Sequence, residues 1–152
     1  MRNLVLPVLA SLALAAPAMA DTRAEVRGGV ISYSGNSEAT YGAAAGVDFD
    51  LAPLIFAGVE VSADKVNDAG TKTAWGLSGR LGAKLPSGTK LFVAGGYTTE
   101  VCDLCDAQWH AGAGLQQSMM GPFYIKAEYR HYFPNDLTQA GDAGVIGVGV
   151  SF

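Results

Sequence analysis

After residue 20 the apolar residues of this chain come in alternation rather than in runs. "GVIGVGVSF", Gly144 to Phe152, shows the pattern: Ile146, Val148, Val150 and Phe152 are separated by Gly147, Gly149 and Ser151. A period of two belongs to a strand with unlike faces. Eight segments carry it: about Thr22–Tyr33, Thr40–Asp50, Leu54–Asp64, Lys72–Leu85, Lys90–Glu100, Ala107–Ser118, Phe123–Phe133 and Ala143–Phe152. Although 49% of the residues are apolar, no later run approaches the ~18 residues of a membrane helix. The spread predicts an all-β chain.

Each segment is roughly ten residues or longer, the length of a tilted strand that crosses a bilayer. Polar connections follow the odd segments: "SGNSE", "KVNDAGT", "VCDLCD" and "PNDLTQAGD". Tight turns at Ala52-Pro53, Pro86-Ser87-Gly88 and Met120-Gly121-Pro122 follow the even ones. In an up-and-down meander the long loops then share one end, and the short turns share the other with both termini. That is the plan of an eight-stranded antiparallel transmembrane β-barrel.

The first 20 residues point the same way. Arg2 precedes an apolar stretch from Leu4 to Ala16, interrupted at Pro7, and Ala18-Met19-Ala20 has the small-x-small form of a cleavage site. These features predict a secretory signal peptide over 1–20 and a barrel over 21–152. The net charge of −4 and the absence of a basic run exclude nucleic acid as a partner.

Facing can be read strand by strand. Segment seven, "FYIKAEYRHYF", sets Phe123, Ile125, Ala127, Tyr129, His131 and Phe133 against Tyr124, Lys126, Glu128, Arg130 and Tyr132. A soluble barrel turns its apolar face inward; a membrane barrel turns it to lipid and fills the lumen with the polar face. Aromatic residues near segment ends, including Tyr41, Phe49, Trp75, Trp109, Phe123, Phe133 and Phe152, favour the membrane arrangement, because they form interfacial belts.

The chain resembles the small eight-stranded outer-membrane barrels of Gram-negative bacteria, the opacity-protein and OmpA-like transmembrane class. Its last strand matches their assembly signal at Ile146, Val148, Val150 and Phe152. The resemblance implies a barrel in the bacterial outer membrane, with periplasmic termini and extracellular long loops. Its implied partners are outer-membrane lipids, lipopolysaccharide and the barrel-assembly machinery. The expected state is a monomer without a cofactor.

An eight-stranded barrel is just wide enough for side chains to fill it. The inward set read from the segments is Arg27, Asp48, Glu60, Arg80, Lys126, Glu128 and Arg130. Buried charges must be paired, so Arg80 and Arg130 are expected to engage Glu60 and Glu128 and plug the lumen. The Gly28-Gly29 and Gly95-Gly96 pairs suggest a bulge or sharp curvature, and the first could shift the facing of its strand.

Other candidates are weaker. Cys102 and Cys105 form C-x-x-C in a loop. In an exported chain that reads first as a local disulfide, with free thiols or a metal as alternatives. His110 faces the lumen and His131 the lipid near a rim. Neither has a serine at adjacent same-face spacing, which argues against a Ser–His hydrolase acting on lipid A. Acidic residues Glu38, Asp68, Asp103, Asp106, Asp136 and Asp142 read as a solvated loop rim. The expected function is a non-enzymatic, charge-plugged barrel with a structural, envelope-integrity or surface-contact role. The alternatives are an outer-membrane enzyme that modifies lipid A and a soluble, lipocalin-like lipid binder.

Overall fold

The computed structural model describes residues 20–68, 70–102, 105–135 and 138–152. The proposed signal peptide, except for Ala20, lies outside them. The described residues form eight strands and no helix: β1 (Ala20–Tyr33), β2 (Asn36–Ala52), β3 (Ile55–Val66), β4 (Thr73–Lys84), β5 (Thr89–Thr98), β6 (Gln108–Ser118), β7 (Phe123–Tyr132) and β8 (Gly141–Ser151). Each pairs antiparallel with the next, and β8 pairs with β1, which closes the barrel. Closure leaves no edge strand with unpaired backbone.

The exit of the chain completes the seam. Phe152 donates its N–H to Thr22 O at 2.9 Å and accepts from Thr22 N–H at 3.0 Å. The start of β1, the end of β8 and the turn at Pro53-Leu54 share one end of the barrel.

The sides are inverted relative to a soluble protein. Val26, Leu77, Val93, Trp109 and Ile146 are exposed on the outside, while Arg23, Lys126, Glu128 and Arg130 are buried inside. An apolar exterior around a charged interior needs lipid as its solvent. A lipocalin-like binder requires the opposite arrangement, so the geometry does not fit that alternative.

Two expectations change. The first connection is not a five-residue loop. β1 runs to Tyr33, β2 begins at Asn36, and only Ser34 and Gly35 turn the chain, at φ 49° and 86°. Positive φ at both central residues is the two-residue hairpin geometry whose twist matches the strands. "NSE" therefore continues as strand. The glycine pairs make no bulge either. Pairing runs unbroken through Gly28-Gly29 and Gly95-Gly96. Facing is kept, with Arg27 and Ile31 buried on either side of the first pair. A Cβ on Gly96 would lie 2.7 Å from Ser78 Cα, so that glycine admits a close neighbouring strand.

Candidate functional site

The lumen holds the densest chemistry of the molecule. Among the described residues, Arg23, Arg27, Arg80, Lys90, Lys126 and Arg130 meet Asp21, Glu25, Asp48, Glu60, Asp64 and Glu128 in one connected set of ion pairs. Glu60 is one centre. It accepts from Arg23 Nη1 at 2.5 Å, Arg27 Nη1 at 2.9 Å, Arg130 Nη2 at 3.0 Å and Lys126 Nζ at 3.3 Å. Asp48 is the other, facing Arg80 Nε at 2.7 Å, Lys90 Nζ at 3.0 Å and Arg23 Nε at 3.6 Å. Arg23 touches both centres and joins them.

Strand register explains which groups meet. Arg23 of β1, Gly46 of β2 and Glu60 of β3 lie in one cross-strand row. Asp48, Gly58 and Arg80 form the next kind of row over β2, β3 and β4. Arg27, Gly42 and Asp64 form a third, closed by Arg27 Nε to Asp64 Oδ1 at 2.7 Å. In each row a glycine stands between two opposite charges. A Cβ at Gly46 would lie 2.6 Å from Arg23 Nη2, and one at Gly58 would lie 2.7 Å from Val47 O. The missing side chain is the path along which the charges reach each other.

All seven residues expected in the lumen are buried there. Arg130 meets both Glu128 and Glu60. Arg80 does not join them. It pairs with Asp48, bonds Gln116 Oε1 at 3.2 Å, and stacks its guanidinium 5.2 and 5.0 Å from the Phe56 and Phe92 rings. Its row leads to Asp48 over Gly58, not to the glutamates. Asp21, Arg23, Glu25, Asp64 and Lys90 were missed. The signal for two of them was present: "TRAEVR" alternates Arg23, Glu25 and Arg27 against Ala24 and Val26.

The plug leaves little space. A cavity of about 30 Å³ lies beside Arg27, Asp64, Arg130 and Tyr132, room for about one or two waters. Between Glu60, Ser78, Arg80 and Arg130 there is no space for a water.

His110 does have a serine partner, drawn from another strand. Ser78 Oγ is 2.9 Å from His110 Nε2, and Thr98 Oγ1 is 3.0 Å from Nδ1. Ser78, Gly96 and His110 share a row over β4, β5 and β6, so adjacency within one strand was the wrong test. The pair is buried, and a neutral threonine hydroxyl stands where a Ser–His hydrolase sets a carboxylate.

At the long-loop end, Cys102 and Cys105 are joined by a disulfide, with Cα atoms 5.1 Å apart. No group of three or more metal-ligating side chains occurs among the described residues. The acidic rim is only partly loop. Glu38 belongs to β2 and Asp142 to β8, while Asp103 and Asp136 lie outside the described residues. Asp142 accepts from Tyr129 Oη at 2.5 Å and meets His131 Nδ1 at 2.8 Å on the outer face.

No protein-family model and no curated relative matches this chain. Solved structures do. The outer membrane enzyme PagL superposes with a TM-score of 0.62 at 12% identity, over 86% of this chain and 98% of that one. The N-terminal β-barrel domain of Pseudomonas aeruginosa OprF gives 0.60 at 17%, over 86% and 97%. Neisserial surface protein A gives 0.59 at 13%, over 88% and 96%. The fold is that of the small eight-stranded outer-membrane barrels. These identities carry the fold alone, and the fold hosts an enzyme as well as surface proteins.

Proposed function

We propose that this chain is a non-enzymatic, non-conducting barrel of the bacterial outer membrane that supports envelope integrity or surface contact. In this reading the strand ends near Ala20 and Phe152 face the periplasm and the longer loops face outward. The barrel works as a monomer among outer-membrane lipids and lipopolysaccharide, after delivery by the barrel-assembly machinery.

The connected lumen network carries the proposal. Ions crossing the barrel would have to part buried ion pairs, and stripping a buried charge of its partner costs about 3–5 kcal/mol. The Ser78–His110 pair does not favour the lipid A enzyme, since both side chains are buried and the gap beside Ser78 has no space even for a water.

The test begins with cell fractionation and a heat-shift gel, in which the folded barrel of the outer-membrane fraction migrates differently after boiling. The purified barrel is then placed in planar bilayers. Silence at neutral pH is expected. Stable single-channel steps overturn the plug, and lipid A that gains or loses acyl chains in a deletion strain overturns the non-enzymatic reading.

A further inference from the structure

The outer wall is not evenly apolar. Over β1, β2 and β3 four of the lipid-facing side chains are small and lie side by side: Ala24, Ala43, Ala45 and Ala63. They floor two concavities on the outer surface. One, of about 230 Å³, is lined by Ala43, Ala45, Val61, Ala63 and Trp75. The other, of about 210 Å³, continues past Ala45 and Val61 to Val47, Val59 and Phe152. The shared residues make them one groove.

The groove has a charged head. Lys65 is exposed on the same face of β3, two residues beyond Ala63 toward the long-loop end. Tyr41 lies directly across from it on β2, and Trp75 lies across from Ala63 on β4. Both rings are exposed. Exposed aromatics flanking a basic residue mark the level of lipid headgroups. From Lys65 to Val59 the strand covers about 20 Å at ~3.3 Å per residue. At the roughly 40° tilt of such strands that descends about 15 Å, half the ~30 Å hydrocarbon core. A cation at headgroup level, above an apolar groove whose stretch from Lys65 to Val59 is one leaflet deep, has the layout of a single anionic lipid.

We propose that Lys65 and the Ala43–Ala45–Ala63 groove form a binding site for lipid A, with a glucosamine phosphate on the Lys65 ammonium and an acyl chain along the alanines. The choice of lipid A rests on the orientation proposed above, which sets Lys65 in the extracellular leaflet. The groove supplies shape for the chain, and Lys65 supplies charge complementarity for the phosphate. Tyr41 and Trp75 offer ring faces and polar tips to the sugar edge.

The test uses the full folded barrel in a neutral detergent, titrated with diphosphoryl lipid A and followed by native mass spectrometry. Phosphatidylglycerol and phosphatidylcholine serve as competitors. One lipid A is expected to remain bound and to resist both competitors. Lys65→Gln should weaken binding about fivefold, the worth of one basic side chain at an anionic lipid surface. Ala45→Phe, which fills the groove while leaving the charge, should weaken it as well. Both variants face lipid, and their heat shift verifies folding. Wild-type affinity in both variants overturns the site. Equal retention of phosphatidylglycerol overturns lipid A as the occupant. A barrel that fractionates outside the outer membrane would sink the functional reading, while the lipid titration would still answer for the groove.

Discussion

Glu60 sits where Arg23, Arg27, Lys126 and Arg130 converge. Its carboxylate is the charge against which four buried cations are balanced, and Glu25, Asp64 and Glu128 cover only part of that demand. Glu60→Gln keeps the shape and removes the charge. The expected loss is about 3–5 kcal/mol, the scale for a buried pair stripped of one partner. Lys84→Gln, which breaks a partly exposed pair with Asp50 near the barrel end, should cost less than about 1 kcal/mol. Denaturant unfolding of the refolded barrel in lipid vesicles measures both, and equal midpoints would show that the network does not hold the barrel. At this scale the sequence was legible where alternation is clean. Asp48, Glu60, Lys126, Glu128 and Arg130 all stand opposite apolar neighbours on their strands. Lys90 and Asp64 were harder to see because they lie near strand ends. There the period has few residues on one side to define it. Partner choice was legible only in part: Arg130 meets Glu60 and Glu128 as expected, whereas Arg80 goes to Asp48, because partners depend on the register between strands and the turns that help to fix it lie outside the alternation.

Cross-strand rows belong to the elements, and they give the lumen glycines their meaning. Gly58 separates Asp48 from Arg80, and a Cβ there would meet both the Asp48 side chain and Val47 O, the latter at 2.7 Å. Backbone cannot yield as a flexible side chain does, so overpacking of this kind is strongly felt. Gly58→Val should abolish the heat-shifted, folded band after refolding. Gly79→Ala should leave it intact, since the nearest atoms to its Cβ would be 4.0 Å away. A Gly58→Val barrel that folds like wild type would show that the charge path over the glycine is not needed. The same distinction shows what composition hides: the 20 glycines look alike in the sequence, yet only register separates those that make room from those that merely curve. The eight strands themselves were legible to within a few residues, with one instructive exception. "SGNSE" has the polarity of a loop, but Ser34 and Gly35 alone close the hairpin. Polarity reports solvent, whereas hairpin geometry is set by two φ angles, and the strands here continue past the apolar belt.

For the whole molecule the decisive contact is the seam between β8 and β1. Eleven residue pairs from Arg23↔Ser151 to Tyr33↔Gly141 join the two ends of the described chain, and Phe152 extends the seam through its backbone to Thr22. The Phe152 ring takes no part in those bonds and is exposed on the outside. The seam uses only the backbone of residue 152, which any non-proline residue supplies. Recognition by the assembly machinery, as the resemblance implies, would need the ring. The two roles can be separated. Phe152→Ser should refold in vitro into detergent or lipid with a heat shift and midpoint near wild type, with a change below about 1 kcal/mol because the ring is solvent- or lipid-exposed rather than packed. In cells the same variant should reach the outer membrane in much smaller amount, with the remainder recovered from the periplasm as unfolded chain. Equal loss in both settings would make Phe152 a structural residue of the seam. Wild-type amounts in both would remove it from assembly as well as from stability, and the terminal alternation would then serve only to keep Ile146, Val148 and Val150 in lipid.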